Sequence, residues 1–190
     1  MDTIVGNIIA ISGSLRSGSL NTKLARAAIA FAPAQCPMEL ASIRDIPLYD
    51  GDVEAAGLPA SVVALKDRIS KAAGLLIVTP EYNNSMPGVL KNAIDWLTRP
   101  AKDIAHVFGG IPFGIVGATP GPGGTRLSQT AWLSVMRQLG VHPFFAKAVY
   151  LAHAGDAFDD DGALKDEKLR KVVGGYVEAF TAFVQANKRG

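Results

Sequence analysis

The amino-acid sequence predicts an α/β protein, a doubly wound five-stranded parallel sheet in the order 2-1-3-4-5. Three observations predict it. Short apolar runs at 8–12, 38–43, 75–79, 111–118 and about 143–150 alternate with segments whose apolar residues recur at three- and four-residue steps. Most of these runs lack polar alternation, as strands covered on both faces do. The first run, Ile8-Ile9-Ala10-Ile11, stops at Gly13 and leads into a helical pattern, the strand–turn–helix arrangement at which parallel sheets hold anions.

The elements follow in order. After the first strand, Leu24, Ala27, Ala28 and Phe31 mark one helix face. The run from Met38 to Ile43 alternates and carries Glu39, as an edge strand would. A long loop over 44–60 then leads to a helix marked by Val62, Leu65, Ile69 and Ala72. The third strand, Leu75-Leu76-Ile77-Val78-Thr79, is followed by Pro87, placed for a helix's first turn, and by Leu90, Ala93, Ile94 and Leu97. With Trp96, these exceed what one sheet face covers, so part of this helix is expected to meet another subunit. A helix over roughly 125–140 separates the last two strands. Asp159-Asp160-Asp161-Gly162 reads as a solvated turn, lacking the later ligands of a calcium loop. Leu169, Val172, Val173, Tyr176, Val177, Phe180 and Val184 mark the closing helix. Right-handed crossovers place helices on both faces, and in this order the chain reverses direction between strands 1 and 3, opening a crevice between their loops.

The chain of 190 residues is 48% hydrophobic and 19% charged with a formal net charge of +2, which fits one soluble domain over 1–190. Lys and Arg are spread among Asp and Glu, so neither nucleic acid nor an anionic membrane is an expected partner. Cys36 stands alone and reads as a small apolar residue. His106, His142 and His153 are scattered without metal-ligand spacing. The first residues, with Asp2 and no basic stretch before an apolar run, carry no leader pattern, and no run reaches a membrane span, so a cytoplasmic location is expected.

Three loops should converge at the crevice. The first, Gly13-Ser14-Leu15-Arg16-Ser17-Gly18-Ser19-Leu20-Asn21, offers backbone N–H groups, the positive end of a helix dipole, hydroxyls and a guanidinium to an anion. It is not a P-loop, because Ser19-Leu20 stand where Lys and Ser/Thr are required, nor is it Gly-x-Gly-x-x-Gly. The second, Thr79-Pro80-Glu81-Tyr82-Asn83-Asn84-Ser85-Met86-Pro87-Gly88, offers a flat wall at Tyr82 and amides at Asn83 and Asn84 to read the edge of a planar heterocycle. Glu81 is read as a helix cap or an inter-subunit partner ahead of direct catalysis. The third, Thr119-Pro120-Gly121-Pro122-Gly123-Gly124-Thr125-Arg126, lets backbone approach a ligand closely through its glycines. A mononucleotide phosphate on the first loop with a ring edge on the second fits flavin mononucleotide (FMN).

The residues Gly13-Ser14-Leu15-Arg16-x-x-Ser19-x-Asn21 and Pro80-Glu81-Tyr82-Asn83-x-Ser85-x-Pro87-Gly88-x-Leu90-Lys91-Asn92-Ala93-Ile94-Asp95-Trp96 resemble the NADPH-dependent FMN reductase family, including bacterial quinone and chromate reductases. The resemblance extends to Ile46-Pro47-Leu48-Tyr49-Asp50 and to Gly123-Gly124-x-Arg126. It implies a flavodoxin-like fold, non-covalent FMN, hydride from NADPH or NADH, and a homodimer or homotetramer. By it, Ser14, Arg16, Ser19 and Asn21 fall on the phosphate side, and Tyr82, Asn83, Asn84 and Ser85 on the ring side. The expected cofactor-binding set is Ser14, Leu15, Arg16, Ser19, Asn21, Pro80, Glu81, Tyr82, Asn83, Asn84, Ser85, Thr119 and Gly121, with no catalytic side chain and no metal. Quinones, chromate, azo compounds or free flavin are the acceptors it leaves open. The competing reading is a flavodoxin-type electron carrier; such proteins are usually strongly acidic and lack an arginine at the phosphate loop, unlike this chain. A receiver domain would need paired acids where Ser12-Gly13-Ser14 stand.

Overall fold

The computed structural model describes residues 6–189, so the leader reading at Met1 and Asp2 lies outside the described residues. Strands β1 (Ile8–Ser12), β2 (Met38–Ala41), β3 (Gly74–Val78), β4 (Pro112–Ala118), β5 (His142–Pro143) and β6 (Tyr150–Leu151) pair in parallel in the order β2-β1-β3-β4-β5, with β6 also on β4. This is the flavodoxin-like order that the alternation of elements predicts. Around the sheet lie α1 (Leu20–Phe31), α2 (Gly51–Ala56), α3 (Ala60–Ser70), α4 (Gly88–Leu97), α5 (Ile104–Phe108), α6 (Arg126–Leu139) and α7 (Glu167–Ala186).

Strand alternation sorts the core into two layers. Ile8 and Ala10 face α1 and α7, whereas Ile9 and Ile11 face the layer holding α3, α4, α5 and α6. Register then places the site. Ser12 lies opposite Val78, and Val78 opposite Val116, so the loops leaving β1, β3 and β4 start almost level at one edge of the sheet.

Two expectations need correction. The fifth strand is not continuous over 143–150: β5 pairs with Pro112 and Phe113, β6 with Gly117 and Ala118, and residues between them leave the ladder. Phe144 is the last residue held before the break, its N–H donating to the Phe113 carbonyl at 2.8 Å. It turns inward against Tyr176, Phe180 and Phe183, with ring centroids 5.4, 5.5 and 5.3 Å away, while Lys147 Nζ donates to the Gly175 carbonyl at 2.9 Å.

The second correction concerns α4. Leu90, Ile94, Trp96 and Leu97 are all buried within the chain itself, so they supply no free face for another subunit. Leu90, Ile94 and Leu97 pack into the sheet-side core, and the segment read as a loop over 44–60 contains α2 and lies against Trp96. Trp96 Nε1 and Asn92 Nδ2 both donate to the Pro47 carbonyl, at 2.9 and 2.7 Å, Asn92 Oδ1 accepts from Tyr49 N at 2.8 Å, and the Tyr49 ring stands edge-on to Trp96 at 5.0 Å. Glu54 anchors α2 from the other side, accepting from Arg99 Nε and from the Tyr49 hydroxyl.

Candidate functional site

A cleft of about 610 Å³ opens at the carboxyl ends of β1, β3 and β4, where an open parallel sheet binds its ligand. Ser14, Arg16, Ser19, Asn21, Pro80, Glu81, Tyr82 and Thr119 line it, bringing together residues from all three expected loops. A cleft of similar size lies elsewhere, among Ser70, Gly109, His142 and Arg189, at the opposite ends of the strands.

The phosphate side is built by α1. Ser19 caps this helix, its Oγ accepting from Thr22 N at 3.1 Å, which leaves the hydroxyl proton available to a ligand above the helix N-terminus. Arg16 is exposed, and its Nη2 donates to the Gly18 carbonyl at 3.2 Å; among the described residues it forms no ion pair. A guanidinium held over a helix N-terminus without a carboxylate partner is suited to a phosphate dianion. Gly13 is required by packing: a Cβ there would lie 2.9 Å from both Leu90 Cδ2 and Pro80 Cδ.

Asn21 lines the cleft and has a structural task as well. It is buried, its Nδ2 donates to the Ala118 carbonyl and its Oδ1 accepts from Ala118 N, each at 2.9 Å. The carboxamide thereby completes the backbone pairing at the end of β4 and ties the first loop's helix to the third loop.

The second loop is a two-residue hairpin. Tyr82 and Ser85 exchange backbone hydrogen bonds at 3.1 and 3.0 Å, and Asn83 and Asn84 take φ of 49° and 59° between them. Successive left-handed residues make a type I′ turn, for which asparagine is among the favoured residues. The two asparagines therefore serve the turn, and they, Ser85 and Gly121 stand outside the cleft lining, while Leu15 faces a neighbouring cleft. Tyr82 presents a ring 49% exposed at the cleft.

Glu81 is a cap, as one of its two expected readings holds, but across loops: its Oε2 accepts from Ser128 N at 3.0 Å in the first turn of α6. The carboxylate complements the α6 dipole and joins the loops after β3 and β4. Beneath it lies a network that sequence reasoning missed. Thr79 Oγ1 is within 2.9 Å of Ser128 Oγ and accepts from Trp132 Nε1 at 3.3 Å, and all three residues are buried. Gly117 lets β4 pass this network, since a Cβ there would lie 2.2 Å from the Thr79 carbonyl oxygen and 2.3 Å from Thr125 Oγ1. No short-range pattern announces these contacts, because they join residues about fifty positions apart. Lys23, one turn beyond Ser19, also lines the cleft and was overlooked; the helical step from the cap was the signal available.

Comparison with known proteins decides the family. The family model for NADPH-dependent FMN reductase matches residues 7–156. The chain belongs to the NADPH-dependent FMN reductase family. Relatives include an NAD(P)H-dependent FMN reductase of Pseudomonas aeruginosa, 42% identical over 178 residues, covering 94% of this chain and 95% of its own length. A 2-hydroxy-1,4-benzoquinone reductase of Burkholderia sp is 37% identical over 178 residues, covering 94% and 96%. Among solved structures, FerB, a flavoenzyme NAD(P)H:(acceptor) oxidoreductase from Paracoccus denitrificans, superposes with a TM-score of 0.88 at 35% identity, covering 97% of this chain and all of that one. Membership in the FMN reductase family makes the chain an oxidoreductase with FMN as cofactor and NAD(P)H as donor, and disfavours the one-electron carrier. No helix of the described residues is long and apolar enough to cross a membrane.

Proposed function

We propose that this chain reduces quinones, or another small acceptor such as chromate, an azo compound or free flavin, with NAD(P)H, through FMN held non-covalently in the cleft between the three loops. The observation that carries this reading is the convergence of Ser14, Arg16 and Ser19 over the N-terminus of α1, beside the exposed face of Tyr82. Donor chemistry and cofactor fit: hydroxyls, N–H groups and an unpaired guanidinium for a phosphate, an aromatic wall for a ring. The only carboxylate in the lining, Glu81, is turned to Ser128 N.

When bound, FMN supplies a two-electron carrier that accepts hydride at N5 and passes it on. The chain's own residues bind and orient. Ser14, Arg16 and Ser19 would hold the phosphate and Tyr82 would flank the ring, with Thr119 and Pro80 also in the lining, while Asn21 and Glu81 hold the loops in register. No side chain of the lining is needed as acid or base, and one open site would admit donor and acceptor in turn, with ping-pong kinetics. The whole of 1–190 would act as one FMN-binding domain. Residence in the cytoplasm accompanies this reading, because reduced nicotinamide nucleotides are held there.

A homodimer or homotetramer is part of the proposal as well. In place of α4, its surface would be the edge beside the interrupted fifth strand. Leu133, Phe145 and Tyr150 there are 45%, 63% and 41% exposed and line one cleft.

Anaerobic titration tests the activity. Protein loaded with FMN should bleach with one equivalent of NADPH and regain its colour on one equivalent of benzoquinone; protein that binds FMN but is not bleached would contradict the proposal.

A further inference from the structure

The loop after β1 has a second face. On its β2 side lies a separate polar cleft of about 310 Å³, whose walls include Arg16, Arg26, Arg44, Ser17, Thr22 and Ser42. Arg16 and Ser14 stand between this cleft and the flavin cleft, lining both. No carboxylate belongs to the walls. Of the arginines elsewhere, Arg68 pairs with Glu39, Arg99 with Glu54 and Arg170 with Glu167, while Arg126, Arg137 and Arg189 form no ion pair among the described residues. Among the described residues, Arg16, Arg26 and Arg44 form no ion pair at all. Arg44 Nη2 donates to the Leu15 carbonyl and Arg16 Nη2 to the Gly18 carbonyl, which fixes both guanidinium groups against the loop, while Arg26 has no protein partner.

Three exposed arginines bordering one cleft whose walls hold no carboxylate make it attractive to a multiply charged anion. The hydroxyls of Ser17 and Ser42 supply further donors for a tetrahedral oxyanion, while the Thr22 hydroxyl already donates to Ser12 Oγ at 2.9 Å. One FMN phosphate cannot occupy both sides of the loop. We therefore propose that the cleft between the loop after β1 and the end of β2 is a second oxyanion subsite, for a phosphate dianion other than that of FMN. Two sources share this chemistry: the 2′-phosphate of an NADPH donor, which would make Arg26 and Arg44 the residues that separate NADPH from NADH, and free inorganic phosphate. The first source rests on the flavin-reductase reading of the neighbouring cleft.

The test uses FMN-loaded full-length protein at constant ionic strength, comparing wild type with Arg26→Ala, Arg26→Glu, Arg44→Lys and the double variant R26A/R44A. Arg137→Ala, an exposed arginine on α6, controls for removal of one charge. Measured are FMN content, kcat/KM with NADPH and with NADH, and binding of inorganic phosphate by ³¹P line broadening. If the 2′-phosphate is bound, R26A/R44A loses about tenfold or more in the NADPH-to-NADH ratio of kcat/KM, R26E loses more than R26A, and R44K and R137A stay near wild type. If free phosphate is bound, that ratio stays constant but the ³¹P broadening seen with wild type disappears in R26A/R44A. An unchanged ratio with unchanged broadening overturns the proposal, as does loss of FMN from R26A, which would assign the cleft to the cofactor. Failure of the flavin-reductase reading is distinct: wild-type protein would then show no turnover with either NADPH or NADH.

Discussion

Arg16→Ala should weaken FMN binding while leaving folding untouched. The guanidinium is exposed, makes one hydrogen bond, to the Gly18 carbonyl at 3.2 Å, and has no ion pair, so its removal is expected to shift stability by no more than about 0.5 kcal/mol. Toward a phosphate the same group makes charge-assisted bonds, and losing them costs about 1.5–3 kcal/mol. At about 1.4 kcal/mol per decade, FMN should bind roughly 10- to 150-fold more weakly. The assay is quenching of flavin fluorescence on titration into apo-protein, run in parallel with riboflavin, which has the ring but no phosphate. Riboflavin affinity should be the same for variant and wild type. Unchanged FMN affinity, or an equal loss for riboflavin, would refute the placement of the phosphate at Arg16.

Three further outcomes follow from the bracing contacts. Asn21→Ala strands the N–H and the carbonyl of Ala118 in a buried position, and should lower the unfolding free energy by about 2–6 kcal/mol in urea titrations of the apo-protein. Glu81→Ala removes the carboxylate that caps α6, with an expected loss of about 0.5–2 kcal/mol in the same assay; a variant as stable as wild type would show that the cap contributes nothing. Hydrogen bonds from Arg99 and then Tyr49 hold the Glu54 carboxyl below its ordinary value of 4.5. Its folded form thus binds protons less readily than its unfolded form, so its stabilisation is complete above about pH 4.5 and is lost as the pH falls through the lower folded value. Urea midpoints between about pH 6 and pH 3 should therefore fall less steeply in Arg99→Gln than in wild type.

What the sequence made legible has a physical pattern. Strands β1, β3 and β4 are buried on both faces and read directly as apolar runs, and their order follows from crossover handedness. That Ser14, Arg16 and Ser19 line one cleft was legible because they lie within six residues of one strand–helix turn, whereas the capping role of Ser19 emerged only from the fold. Glu81 was half legible: its chemistry as a cap could be read, but its partner Ser128 lies 47 residues away and only the fold brings them together. The turn role of the asparagines in the second loop was not legible because the same residue type suits a heterocycle edge and a type I′ turn, and only the consecutive positive φ values show the turn. The apolar surplus of α4 pointed to a second subunit only because the segment over 44–60 looked unstructured. Pro47 and Tyr49 fold back against Trp96, and Leu90, Ile94 and Leu97 pack into the sheet-side core.

Three loops at the carboxyl edge of one sheet are proposed to form a flavin site with its phosphate end at the first loop. A crystal structure of the protein with FMN tests it most directly. The phosphate should lie within hydrogen-bonding distance of Ser14, Arg16 and Ser19, with the ring beside Tyr82. A flavin bound in the cleft by Gly109, His142 and Arg189, or with its ring at Arg16 and its phosphate at Tyr82, would contradict it.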